Sequence, residues 1–154
     1  MTVHFICRGN TYRSRLAETY LKSKQLSGIE VISSGIEADQ NISGPINWYT
    51  QRIIQKEHLV AFEKPIWQQT TKELLNTGDL TVFVRQDIYD FCVNNFSFND
   101  KKYLVWNIQD TDNANTAWLN ADEFGRIKIT EQTFAEIKQK VEELIVQLGK
   151  EKVV

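Results

Sequence analysis

Apolar residues come in short β-type runs that alternate with helical stripes along the chain. Val3, Phe5 and Ile6 form a run that stops at Cys7. A short loop with Gly9 and Asn10 follows, and then Leu16, Ala17, Tyr20 and Leu21 recur on one helical face, which predicts a helix over 13–25. Ser27-Gly28 ends that helix, and Ile29, Val31 and Ile32 predict a second strand closing at Ser33-Ser34-Gly35. Strand, helix, strand implies a parallel, right-handed crossover.

Residues 36–44 read as a polar loop. Pro45 is placed to open a helix over 45–56, because proline suits a first helical turn. A short helix near 69–76 follows Pro65, and Leu80, Val82, Phe83 and Val84 make a buried third strand. A helix over 87–94 and a fourth strand over 103–106 come next. Residues 107–125 lack a period and read as a long surface loop, of the kind that often carries function. Thr130 and Glu131 then open an amphipathic helix with the stripe Phe134, Ile137, Val141, Leu144, Ile145 and Leu148.

This alternation predicts an α/β fold of three layers, α/β/α, around a four-stranded parallel sheet, in one domain spanning 1–154. In such sheets ligands bind beyond the carboxyl ends of the strands. Cys7, Ser33, Ser34 and Asp110 all fall there.

Composition narrows the function. A net charge of −2, a pI near 5.7 and 25% charged residues point to neither nucleic acid nor a membrane surface. The opening apolar run is short and has no basic region before it, so no signal peptide or membrane span is expected and the chain reads as cytoplasmic. Cys7 and Cys92 lack metal-type spacing, so the reading includes no metal and no cofactor. Cys92 lies among apolar helix neighbours and reads as core, and the aromatics Trp48 and Tyr49, near a helix start, read as packing residues rather than as the lining of a substrate cleft. His4 reads as a sheet residue, and neither it nor His58 as a catalytic base.

Cys7 and Arg13 stand in a Cys-x5-Arg spacing, with Ser14 directly after, where a strand passes through a tight loop into a helix N-terminus. Backbone N–H groups and the positive end of the helix dipole converge there, which favours an anion and pushes a thiol toward thiolate. The arginine fork suits two phosphate oxygens while the sulfur faces phosphorus. Sulfur attack would give a phosphocysteine. An aspartate on a nearby loop, Asp110 or Asp112, would then protonate the leaving group and later activate water.

The stretch CRGNTYRS followed by RLAE resembles the phosphate-binding loop of the low-molecular-weight protein tyrosine phosphatase family, whose usual pattern is Cys-x-Gly-Asn-x-Cys-Arg-Ser-Pro-x-Ala-Glu. The resemblance implies Cys7 as nucleophile, Arg13 as phosphate clamp, Ser14 as thiolate stabiliser and Asn10 as the residue that shapes the loop. It also implies that Arg8, Gly9, Asn10, Thr11, Tyr12, Arg13 and Ser14 hold the phosphate, and that Ser33 or Ser34 braces the loop from the second strand. By the same resemblance Asp110, just after the fourth strand, is preferred over Asp112 as the general acid. Asp112, in a polar loop, reads as a solvated carboxylate.

The chain departs from the pattern at Tyr12, where a second cysteine is common. It departs again at Arg15, the usual proline, and at Thr111, the proline after the acid. Aromatics that line a phosphotyrosine pocket are missing after Gly35 and after Asp110. Thr11 matches the branch that resembles protein-arginine phosphatases. The resulting expectation is a phosphotyrosine phosphatase acting on a phosphorylated protein. A phosphoarginine phosphatase and a phosphate-binding module without turnover stand as alternatives.

Overall fold

The computed structural model describes residues 1–99 and 101–152. Its sheet has four parallel strands in the order β2-β1-β3-β4, formed by β1 (Thr2–Cys7), β2 (Glu30–Gly35), β3 (Leu80–Phe83) and β4 (Tyr103–Val105). The two inner strands are the most apolar. Val3, Phe5 and Ile6 of β1 and all four residues of β3 are buried, as the inner strands of a doubly covered parallel sheet must be.

From β1 the chain steps outward to β2 through α1 (Arg13–Ser23). From β3 it steps the other way to β4 through α4 (Gln86–Phe96). Right-handed crossovers in opposite directions put α1 and α4 on opposite faces, giving the three layers expected from the sequence. They also create a switch point at the carboxyl end of β1, where the loops diverge and leave a crevice. Cys7 is the last residue of β1.

The terminal helix α6 (Glu123–Lys152) packs on α1 and on α2 (Trp48–Lys56). Phe134, Ile137, Val141, Leu144 and Leu148 are buried there, and Ile145 is half-buried. Although α6 is long, among the described residues no helix is long and apolar enough to cross a membrane.

Several boundaries differ from the sequence expectation for identifiable reasons. Helix α1 stops at Ser23, with Lys24 as its cap and Gln25 at a φ of 48°. Pro45 does not open α2: Asn47 does, its Oδ1 accepting from the Tyr49 N–H at 2.8 Å. The short third helix, α3 (Lys72–Leu75), is capped by Thr71. Residues 36–44 contain a 3-10 turn, Ala38–Gln40.

Residues 107–125 are not one loop. They hold α5 (Thr116–Asn120), capped by Asn115, and the start of α6. The Asp122 carboxylate accepts from the Gly125 N–H at 2.8 Å, so α6 begins well before Thr130. Thr130 is buried inside the helix, its hydroxyl donating to the Arg126 and Ile127 carbonyls.

Candidate active site

The loop between Cys7 and Arg13 is shaped from below by one asparagine. Asn10 has a φ of 55°, in the left-handed region that asparagine tolerates better than most residues. Its Nδ2 donates to Ser14 Oγ and to Ser33 Oγ, both at 2.8 Å, and its Oδ1 accepts from the Gln68 N–H at 2.8 Å. Both amide hydrogens and the amide oxygen of Asn10 are thereby engaged. Ser14 Oγ, already accepting from Asn10, has its own proton free for Cys7 Sγ at 2.8 Å. The Asn10 N–H donates to the same sulfur at 3.2 Å.

Ser33 passes the network on to the buried carboxylate of Glu18, donating to Oε1 at 3.0 Å. Ser34, the next residue on the strand, faces the other side of the sheet and meets His4 Nε2 at 2.7 Å and Thr70 Oγ1 at 2.6 Å. Of the two serines, therefore, Ser33 contacts the loop and Ser34 does not. Burial pushes the His4 imidazole down to about 3, in keeping with a sheet residue.

Gly35 is where β2 passes beneath the loop. A Cβ there would lie 2.5 Å from the Arg8 carbonyl oxygen and 2.6 Å from the Asn10 nitrogen, both backbone atoms. Only glycine lets the strand and the loop approach this closely.

Helix α1 starts at Arg13 with no side-chain cap, so its first-turn N–H groups keep the character of an anion site. The Arg13 side chain is 1% exposed. Its Nη1 donates to the Ile108 carbonyl at 3.0 Å, and its Nη2 lies 2.9 Å from Asp110 Oδ2. Beyond β4 the chain stays beside β3: the Trp106 and Ile108 N–H groups donate to the Phe83 and Val84 carbonyls. That path seats the fully buried Ile108 against Arg13 and brings Asp110 to the mouth of the cleft. Asp110 Oδ1 accepts from the Thr111 N–H at 2.8 Å, a donor that proline would lack. Asn115 Nδ2 donates to the Asp110 carbonyl at 2.9 Å.

Asp112 is not a freely solvated loop carboxylate. It is 3.7 Å from Arg8 and 3.9 Å from Arg85, while Asp87 takes Arg85 in a two-point contact at 2.8 and 2.9 Å. These four residues join the phosphate-type loop, the start of α4 and the acid loop.

The cleft measures about 330 Å3. Cys7, Arg8, Gly9, Thr11, Tyr12 and Arg13 line its base; Glu37, Ala38, Ile42, Ser43 and Asn47 line one wall, and residues 110–113 the other. Tyr12 is buried, and that burial raises its phenol pKa. Trp48 and Tyr49 stack edge-to-face, and Tyr49 packs on Trp118, away from the cleft lining. Cys92 is fully buried in α4, where burial pushes its thiol up to about 12. His58 lies on an exposed turn with a φ of 58°.

Sequence reasoning missed the cations beneath the loop. Lys64 Nζ donates to the Ser33 carbonyl at 2.7 Å and lies 3.9 Å from Glu18, and burial pushes its ammonium down to about 8. Glu18 was visible in the Ala-Glu pair, but nothing in the spacing assigned it a partner. Gln68 acts through its backbone N–H and left no side-chain signal.

Residues 2–154 match the family model for low molecular weight phosphotyrosine protein phosphatase. The chain belongs to this family. Among relatives of the phosphatase, a protein-arginine-phosphatase of Geobacillus stearothermophilus is 26% identical over 102 residues, a match spanning 66% of each chain. The solution structure of a low molecular weight protein tyrosine phosphatase from Bacillus subtilis is 22% identical, covers 99% of both chains and gives a TM-score of 0.78. A YwlE arginine phosphatase variant with a phosphorylated active-site serine is 23% identical, covers 97% of both chains and gives a TM-score of 0.72.

Proposed function

We propose that this protein is a cysteine-dependent phosphatase that removes phosphate from phosphotyrosine in protein substrates through a phosphocysteine intermediate. The observation that carries the reading is the convergence in one cleft of Cys7 Sγ, held by Ser14 at 2.8 Å, with the buried Arg13 fork and the Asp110 carboxylate 2.9 Å from it. Sulfur attacks phosphorus as the bond to the phenolic oxygen breaks, and Asp110 gives that oxygen its proton. Asp110 then takes a proton from water, whose oxygen attacks phosphorus, releasing phosphate and restoring the Cys7 thiolate. Arg13 and the loop N–H groups stabilise the charge spread over the phosphoryl oxygens, so the chain's own donors supply the electrostatic work. A nucleophilic thiol without a partner cysteine suits the reducing cytoplasm, where we place the protein.

Thr11, which lines the cleft, and the absence of aromatic side chains other than Tyr12 from that lining favour a second reading, phosphoarginine as substrate. Similarity to a protein-arginine-phosphatase supports it. The deciding experiment compares rates on phosphotyrosine and phosphoarginine peptides, with Cys7→Ser as the inactive control. Thr11→Ile shifts the ratio toward the aryl substrate if the threonine sets selectivity. A wild-type protein that binds vanadate yet hydrolyses neither peptide would be a binding module, and both readings would fall.

A further inference from the structure

Arg15 stands where the family pattern has proline, and its side chain is fully buried directly behind the loop. Nη1 donates to the Asn10 carbonyl at 3.2 Å and to the Pro45 carbonyl at 2.9 Å, and Nη2 donates to the Lys64 carbonyl. One planar fork thus ties together three segments, adding a common anchor to the separate hydrogen bonds that link them in pairs, such as the Asn47 N–H to the Thr11 carbonyl and the Gln68 N–H to Asn10 Oδ1. The three segments are the Cys7–Arg13 loop, the 36–47 wall of the cleft, and the segment that delivers Gln68 to Asn10.

A buried guanidinium is costly unless it is paired and its donors are used. Glu18 and Glu63 lie close enough to favour its charge, and three of its donors are taken by backbone carbonyls, although Nε has no hydrogen-bond acceptor. Such an arrangement is not a space filler; a proline or an apolar side chain would fill the site without that cost.

The contact to Asn10 has a directional consequence. In a planar trans peptide the carbonyl and the following N–H point in opposite directions. Drawing the Asn10 carbonyl back into Arg15 turns the Thr11 N–H forward, toward the centre of the loop. The same contact stabilises Asn10 at its left-handed φ of 55°, the conformation that aims its amide at Ser14 and Ser33.

We infer that Arg15 is a positioning residue, which holds the anion loop in its binding shape by anchoring the Asn10, Pro45 and Lys64 carbonyls. This rests on the phosphatase reading of the same site. It assigns a part of the loop's geometry to a buried hydrogen-bonding fork at the position where the family pattern has proline.

The test uses Arg15→Met, Arg15→Lys and Arg15→Pro. Each variant is also made with Cys7→Ser so that inorganic phosphate affinity is read without turnover, and thermal melts monitor folding. Arg15→Met weakens phosphate about 10-fold or more and lowers kcat/KM on p-nitrophenyl phosphate by a larger factor. Arg15→Lys, whose single ammonium cannot span three carbonyls, falls between Arg15→Met and the wild type. Arg15→Pro restores the family's residue without its surrounding contacts and behaves like Arg15→Met.

A folded Arg15→Met or Arg15→Pro variant with wild-type phosphate affinity overturns the assignment. If Arg15→Met does not fold, wild-type affinity in Arg15→Lys does so instead. Absence of wild-type hydrolysis would overturn the proposed reaction alone, because the phosphate measurements need no turnover.

Discussion

The arginine clamp holds an anion that belongs to the protein itself. Asp110 Oδ2 lies 2.9 Å from Arg13 Nη2, in a direction a phosphate oxygen needs. Asp110→Asn keeps the shape and removes the charge. A phosphate oxygen on Arg13 would sit roughly 4–5 Å from the carboxylate, and like charges at that range with an effective dielectric of about 40 repel by about 2 kcal/mol. Asp110 is 16% exposed, so solvent screening lowers this. The remaining repulsion, about 1.4 kcal/mol, is a factor of about ten in affinity.

The same substitution removes the proposed proton donor, worth about 10²–10⁴ in rate. Asp110→Asn is therefore expected to bind inorganic phosphate and vanadate about tenfold more tightly while turning over a phosphotyrosine peptide at least a hundredfold more slowly. Calorimetric titration with phosphate and steady-state hydrolysis read the two effects separately. Unchanged or weaker phosphate binding would show that the carboxylate does not compete for Arg13. Unchanged turnover would remove Asp110 from the mechanism.

Gly35→Ala places a methyl 2.5 Å from the Arg8 carbonyl oxygen, so the loop must move. Activity on p-nitrophenyl phosphate should fall at least a hundredfold, with a stability loss of about 1–3 kcal/mol in urea melts; near wild-type activity would mean the loop tolerates displacement. Because burial takes His4 from 6.5 down to about 3, the unfolded chain gains a proton below 6.5 that the folded chain refuses. Stability is then intact above that pH and falls by about 1.4 kcal/mol per pH unit below it. His4→Gln should flatten the loss measured in urea between pH 7 and pH 5, and an unaltered slope would assign acid unfolding to other groups. Asp112→Asn loosens contacts to Arg8 and Arg85 that are 3.7 and 3.9 Å long, so kcat should fall only about two- to fivefold with the melting temperature little changed, and no change in kcat would dismiss the link between those loops.

The sheet could be read from the chain because its signals are local. Val3, Phe5 and Ile6, and Leu80, Val82 and Phe83, are apolar runs that only a doubly covered parallel sheet accommodates. The loop could be read because Cys7, Asn10, Arg13 and Ser14 are neighbours in sequence. Contacts made across the fold were hidden. Arg15 reaches Pro45 and Lys64 carbonyls, and backbone acceptors carry no residue identity. Gly125 looked like a loop glycine, yet it lies in the first turn of α6 under the Asp122 cap. Thr130 with Glu131 ahead of an apolar stripe resembled a helix start, but its hydroxyl bonds carbonyls within the helix rather than free N–H groups.

The rigidity of Asn10 bears on how an inhibitor could tell this enzyme from its relatives. With both amide hydrogens and the amide oxygen engaged beneath the loop, Asn10 fixes the backbone on which the base of the cleft is built. A compound that grips only the base meets atoms laid down by a motif shared across the family. Discrimination must come from Glu37, Ile42 and Ser43 on the wall, where this chain offers a carboxylate and an exposed aliphatic instead of a ring. A selective ligand would be a phosphate mimic with a cationic, aliphatic-facing arm.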